Sequence, residues 1–136
     1  MKTQNDNSDK DQNATCDNAV LSSRLFKFRA FNPISKRMFL WNELEAFWSF
    51  EDISRINNGN SSTILMQFTG LKDKKGIEIY EGDILDCGIN KLKVVFENGY
   101  FRTPYVDKNG NISNYRLNGW IECEVIGNIF ENPELL

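Results

Sequence analysis

The chain has 136 residues, 40% of them hydrophobic, with 10 Phe, 4 Tyr and 3 Trp, and a formal net charge of −3 from 16 basic and 19 acidic side chains. This is enough apolar material for the core of one domain of common size. There is no histidine, which excludes every triad, dyad or metal trio built on imidazole. No apolar run approaches the roughly 18 residues of a membrane helix. Because the N-terminal sequence also lacks a signal-peptide pattern, we expect a cytoplasmic protein without a membrane partner.

The first part of the chain differs in composition from the rest. Residues 1–23 contain no aromatic residue and no periodic apolar pattern, so we predict a disordered polar tail before a single domain at 24–136. In RLFKFRAF, the apolar Phe26, Phe28 and Ala30 alternate with Lys27 and Arg29, which predicts a half-buried strand. NPISKR is typical of a turn, and MFLW predicts a returning strand.

Residues 42–53, NELEAFWSFEDI, allow two interpretations. Asn42 and Glu45 resemble a helix start of the capping-box type, whereas the aromatic residues favour a strand. We predict a short helix or an irregular segment, followed by a polar loop at 55–62 that turns at Asn58-Gly59.

Residues 63–136 show short apolar segments separated by turn signals. DKKG at 73–76 and DKNG at 107–110 predict tight turns, and Asn98-Gly99 between two apolar runs predicts a hairpin. Pro104 indicates an edge position or a bulge. We therefore predict a mainly β fold: a small, strongly bent sheet or an SH3-like barrel with at most one short helix.

Four carboxylates follow one another closely at Glu78, Glu81, Asp83 and Asp86. Asp83 follows a glycine, so we predict that it caps a turn with its side chain. In one regular strand Asp83 and Asp86 face opposite ways, which does not favour a converging acid–base pair. An oxygen-ligated Mg²⁺ site stays open as the alternative.

The glycines at 70, 76 and 82 match neither GxGxxG nor the Walker pattern of a phosphate loop. We predict instead that the backbone takes positive φ at these positions.

The basic residues are the candidate binding surface. Residues 24–37 hold five basic residues, with Arg24 the first, and no acidic one; three lysines follow at 72–75. The predicted binding residues are Lys27, Arg29, Lys36, Arg37, Lys72, Lys74, Lys75 and Tyr80. Small barrels bind nucleic acid through such a strand face with stacking aromatics, but alternating charge is also typical of a solvated face. We assign the large aromatics to the core, namely Phe26, Phe28, Trp41, Phe68, Trp120 and Phe130.

The three cysteines, Cys16, Cys87 and Cys123, are an odd number at wide spacing. They suit neither a disulfide framework nor a zinc site. We predict that Cys87 and Cys123 are buried, unreactive thiols and that Cys16 lies in the tail. No metal or cofactor is expected.

Three segments together resemble the YopX family of phage and prophage proteins: KFRAFNPISKRM, LMQFTGLKDKKGIEIYEGDIL and EVIGNIFENPELL. The resemblance covers residues 24–136. The chain departs from the usual family pattern at Phe31, Asn32 and Ile77. The resemblance implies a mobile-element origin and a mainly β fold, and it supplies no catalytic mechanism.

The function these patterns favour is that of a phage- or prophage-encoded accessory protein that acts as a non-catalytic binding module. Its expected partner is nucleic acid or a host macromolecule. Homo-oligomeric assembly through edge strands and the tail FENPELL is the alternative. A carboxylate- and Mg²⁺-dependent enzyme is a third hypothesis, to which no catalytic residue is assigned.

Overall fold

The computed structural model describes residues 25–59, 61–115 and 117–136. The predicted tail, Arg24 and Cys16 lie outside the described residues. The described part of the chain holds the following strands: β1 (Phe28–Asn32), β2 (Arg37–Phe39), β3 (Ile64–Lys72), β4 (Glu78–Tyr80), β5 (Asp83–Asp86), β6 (Lys91–Lys93), β7 (Val95–Glu97), β8 (Tyr100–Arg102), β9 (Pro104–Val106), β10 (Ile112–Asn114) and β11 (Glu124–Asn128).

Two α-helices, α1 (Trp41–Phe47) and α2 (Phe50–Asn57), lie between β2 and β3. The prediction of at most one short helix is therefore corrected to two. Trp48 is extended (φ −105°, ψ 132°) and separates them. Ser49 then starts α2, because its hydroxyl accepts from the Asp52 amide at 3.2 Å while the Asp52 carboxylate accepts from the Ser49 amide at 2.8 Å. Two 3₁₀ helices, Leu117–Glu122 and Pro133–Leu135, flank β11.

The strands form strongly bent, antiparallel sheets. One sheet has the order β2-β1-β3-β4 and another β11-β5-β6, while β7-β8 and β9-β10 form two-stranded ribbons. The first half of β3 pairs with β1, and its second half pairs with β4 after a shift in register between Phe68 and Lys72. This shift bends the long strand. The predicted mainly β fold with a strongly bent sheet is confirmed.

The turns follow the local sequence. Asn98 (φ 55°) and Gly99 (φ 85°) connect β7 to β8 as predicted. Asp73 and Asp107 start two turns of the same geometry, in which one carboxylate oxygen accepts from the backbone amides two and four positions later. Both hydrogen bonds are 2.8 Å long in the Asp73 turn, and they are 2.8 and 2.9 Å long in the Asp107 turn. Gly82 has φ 82°, and a Cβ there would lie 3.3 Å from the Met66 sulfur. The predicted positive φ at the glycines of residues 68–88 is thus confirmed.

The core lies where β4, β5 and the 3₁₀ helix Leu117–Glu122 meet. Its centre consists of Ile79, Leu85, Val94, Trp120 and Cys123, each at most 1% exposed. Among the predicted core aromatics, Phe68 and Trp120 are buried, while Phe28, Trp41 and Phe130 are half-buried. The prediction for Phe26 is wrong: this side chain is 64% exposed. The reason is that β1 begins at Phe28, so the strand alternation does not extend back to Phe26.

Candidate functional site: a buried ion pair and an aromatic groove

Asp83 caps the turn between β4 and β5, as predicted. Its Oδ2 accepts from the Tyr80 amide at 2.7 Å, and its side chain is 1% exposed. Arg29 of β1 reaches the same carboxylate, donating from Nη2 to Oδ1 at 2.5 Å and to the Glu81 carbonyl at 3.3 Å. The guanidinium also lies over the Tyr80 ring, 4.9 Å from its centroid. Arg29 is therefore not on a solvated face; it joins β1 to the turn.

The electrostatics of this network favour a structural role. Burial raises the pKa of Asp83, against the Arg29 charge and the Tyr80 amide, which lower it. Burial, and then the hydrogen bond to Glu78, raises the pKa of Tyr80 far above neutrality. Its hydroxyl therefore stays protonated and donates to Glu78 Oε2 at 3.0 Å. A hydroxyl in this state does not serve as a general base at neutral pH.

The four carboxylates of residues 78–86 do not converge. Glu78 pairs with Lys27 at 2.6 Å, and this hydrogen bond lowers the pKa of Glu78. Asp86 instead accepts from the Gly88 amide at 2.9 Å, at the opposite end of β5 from Asp83. Within residues 25–59, 61–115 and 117–136 there is no group of three or more His, Cys, Asp or Glu side chains that could hold a metal ion.

Most of the predicted binding cations have intramolecular partners. Besides Lys27 and Arg29, Arg37 pairs with Glu43 at 2.6 Å, while Lys74 (3.2 Å) and Lys75 both pair with Glu124. Lys36, in the turn before β2, and Lys72, at the end of β3, form no ion pair with any described residue. The structure thus places the eight predicted residues on several separate elements. A binding role for them stays a prediction.

Sequence reasoning missed a second site, an aromatic groove between the β7-β8 hairpin and the C-terminal half of β3. Its main cleft has a volume of about 580 Å³. The residues that line this cleft are Thr69, Leu71, Phe96, Gly99, Tyr100, Phe101 and Trp120. A smaller depression of about 270 Å³ shares Thr69 and Phe101 and continues past Gly70 to Leu25 and Phe26. We call the two depressions together the aromatic groove.

The hairpin supplies one wall of the groove because of its register. Phe96 and Phe101 are directly opposite cross-strand partners, so both side chains lie on the same face of the ribbon. Their ring centroids are 5.0 Å apart in an edge-to-face arrangement. Trp120 closes the floor and is held there by its indole N–H, which donates to Thr103 Oγ1 at 3.1 Å. Phe96 and Tyr100 nevertheless remain 46% exposed.

A signal for the hairpin wall was present in the sequence. Asn98-Gly99 fixes a two-residue turn, so the residues at equal distances from it, Phe96 and Phe101, must pair. The rest of the groove could not be found in this way. Leu71 and Trp120 lie 49 positions apart in the sequence and meet only through the packing of the 3₁₀ helix against β3.

The fold and the site together define a mainly β protein whose described residues form an apolar groove, and most of its predicted binding cations have a carboxylate partner. The family model described as "YopX protein" matches residues 27–136. The chain therefore belongs to the YopX family.

The chain is also similar to solved structures. The crystal structure of protein EF1440 from Enterococcus faecalis matches with a TM-score of 0.55 and 24% sequence identity, covering 82% of this chain and 98% of that one. At this identity the likeness concerns the fold alone. No curated protein matches the chain. Among the described residues, no helix combines the length and the apolar character needed to cross a membrane.

Proposed function

We propose that this protein is a non-catalytic binding module that holds an uncharged, apolar segment of a partner protein in the aromatic groove. One observation carries the proposal: none of the described residues that line the groove has a charged side chain, although several of them are exposed. Membership of the YopX family supports a phage- or prophage-encoded accessory protein. The partner is then a phage protein or a host protein.

The size and the lining of the groove support this proposal. A main cleft of about 580 Å³ is within the roughly 300–1,000 Å³ of ordinary binding pockets. Exposed aromatic rings around a buried tryptophan are typical anchors at protein interfaces, where a few such residues supply most of the binding energy. The smaller depression lengthens the groove toward Phe26, which favours a chain segment over a compact small molecule.

The charge distribution favours a protein segment over nucleic acid. Binding to a phosphate backbone depends on basic side chains that are free to neutralise phosphates, which releases the counterions condensed on the nucleic acid. Here Lys27, Arg29, Arg37, Lys74 and Lys75 each have a carboxylate partner. The described lining of the groove offers no cationic side chain to a polyanion, whereas it is complementary to an uncharged apolar segment.

The test is a selection of peptides from a random library displayed on phage, followed by affinity measurement with one enriched peptide by fluorescence anisotropy. We expect enriched peptides to carry aromatic or aliphatic residues and few charges. Phe96→Asp and Tyr100→Asp, which enter the groove from the two strands of the hairpin, should each weaken binding by at least about tenfold. The matched control is Phe47→Asp, because Phe47 is 83% exposed on α1 and lies outside the groove. The affinity of the Phe47→Asp variant for the enriched peptide should not change.

Three results would overturn the proposal. The first is enrichment of acidic or highly charged peptides. The second is that the Phe96→Asp and Phe47→Asp variants bind the enriched peptide with equal affinity. The third is a salt-sensitive complex with a single-stranded oligonucleotide that survives Phe96→Asp but is lost when Lys72 and Lys36 are replaced by alanine. Light scattering on the same samples tests self-assembly: a dimer that dissociates in the Phe96 variant would place a second copy in the groove instead of another protein.

A further inference from the structure

Cys87 and Cys123 form a disulfide bond, which corrects the prediction of two unpaired, unreactive thiols. The bond lies one position beyond the last pair of the β5-β11 ladder, in which Asp86 is opposite Glu124. The two cysteines are therefore directly opposed, and their Cα atoms are 4.4 Å apart. That spacing is typical of a non-hydrogen-bonded pair in antiparallel strands.

The backbone around the two cysteines does not hold them to each other. The Cys87 amide donates to the Asn90 carbonyl at 3.1 Å, and the Cys123 amide donates to the Trp120 carbonyl at 3.0 Å. The Cys123 carbonyl in turn accepts from the Lys74 amide at 3.1 Å. Cys123 is thus the point where the 3₁₀ helix, β11 and the Asp73 turn meet, and the disulfide is the link from this point to the loop after β5.

The two cysteines differ in exposure. Cys123 is 1% exposed and belongs to the core, whereas Cys87 is only partly buried. Cys87 is followed by Gly88 and by Ile89, which is 95% exposed. The partly exposed Cys87 is therefore the more accessible side of the disulfide for a thiolate in solution, and the buried Cys123 is the less accessible side.

We propose that the Cys87–Cys123 bond is a reversible redox latch that holds residues 117–123, the floor of the aromatic groove, against β5. A dithiol reductant attacks through one thiolate at Cys87 Sγ, forming a mixed disulfide as Cys123 leaves as a thiolate. The second thiol of the reductant then attacks the sulfur that the reductant contributes to the mixed disulfide, and Cys87 is released. The reductant becomes a disulfide, and two electrons and two protons pass to the two cysteines.

Reduction loosens the latch without unfolding the sheet. The β5-β11 ladder retains its four pairs, from Asp86 opposite Glu124 to Asp83 opposite Asn128. The Val125 amide also keeps its hydrogen bond to Asp73 at 2.9 Å. The segment that loses one of its attachments is the 3₁₀ helix with Trp120, because Cys123 is its junction with β11. The hydrogen bond from Trp120 to Thr103 remains.

The test is hydrogen exchange by mass spectrometry on the full chain, oxidised by glutathione disulfide or reduced by dithiothreitol. Alkylation before exchange should find one free thiol in the oxidised protein and three in the reduced protein. We expect the backbone amides of residues 117–123 to exchange at least about tenfold faster after reduction. The exchange rates of the amides of residues 79–85 should not change. In both buffers, the double variant Cys87→Ser/Cys123→Ser should show the hydrogen exchange of the reduced protein. The variant Cys16→Ser should show the same exchange as the native chain in each buffer.

Two outcomes would overturn the proposal. One is three free thiols after glutathione disulfide treatment, which would mean that the pair does not form. The other is equal protection of residues 117–123 from hydrogen exchange in both redox states, which would mean that the disulfide does not affect the groove floor. The readout needs no partner, so it is independent of whether the groove binds a protein segment.

Discussion

Replacing Asp83 with alanine is expected to lower the free energy of unfolding by about 3–5 kcal/mol, the usual cost of removing one member of a buried ion pair. The variant leaves the Arg29 guanidinium, whose side chain is 12% exposed, without its carboxylate. It also leaves the Tyr80 amide without an acceptor. Urea denaturation followed by tryptophan fluorescence measures the change.

Asp86→Ala is the matched control for this prediction, because Asp86 lies in the same strand but its side chain accepts from the amide of the exposed Gly88. Its loss of stability should be much smaller. Arg29→Met combined with Asp83→Leu should recover part of the loss, since apolar side chains replace a buried pair at little cost. Equal stability of the Asp83 and Asp86 variants would contradict the role assigned to the ion pair.

Asp73→Ala is expected to cost about 3 kcal/mol, because the buried Asp73 carboxylate accepts three backbone N–H groups and its loss leaves them without an acceptor. Two of these bonds are local, at 2.8 Å each, and the third comes from Val125 of β11 at 2.9 Å. The chain provides its own control in Asp107, which has the same two local bonds but is only half-buried. Among the described residues, no distant strand donates a hydrogen bond to the Asp107 carboxylate. Asp107→Ala should destabilise much less.

The acid dependence of stability gives a second measurement of Asp73. Burial alone would raise its pKa, but the backbone N–H groups of Val125, Ile77 and Lys75 together lower the pKa below the ordinary value of 3.8. A carboxylate with a depressed pKa stabilises the fold above its unfolded pKa and loses that contribution as pH falls through the folded value. The difference in stability between the native chain and Asp73→Ala should therefore be constant near neutral pH and shrink below about pH 4. A difference that stays constant at lower pH would contradict the lowered pKa.

Features that depend on a few neighbouring residues could be predicted from the sequence. The Asn98-Gly99 hairpin, the positive φ of the glycines and the turn cap of Asp83 all follow from contacts within four positions along the chain. The alternating short strands were sufficient for the mainly β fold. Helix boundaries were less certain, because the extended Trp48 divides a segment whose composition gave no clear period.

The candidate sites depended on contacts between distant segments. The alternation at residues 26–30 places Lys27 and Arg29 on one side of a strand, but it cannot show that this side faces Glu78 and Asp83, 51 and 54 positions away. The three cysteines gave no indication of pairing, because the bond between Cys87 and Cys123 requires the register of β5 with β11. The floor of the aromatic groove also depends on contacts between distant segments, because the 3₁₀ helix that carries Trp120 packs against β3.

The two Asp-Lys turns separate the two kinds of information. The sequence by itself determined the turn at 73–76 and the turn at 107–110, and both have the same local hydrogen bonds. Only the tertiary structure decided that Asp73 is 5% exposed and bonded to β11 while Asp107 is only half-buried. The physical reason is that a turn depends on the backbone preferences of four or five residues, whereas burial depends on which distant strand packs against it.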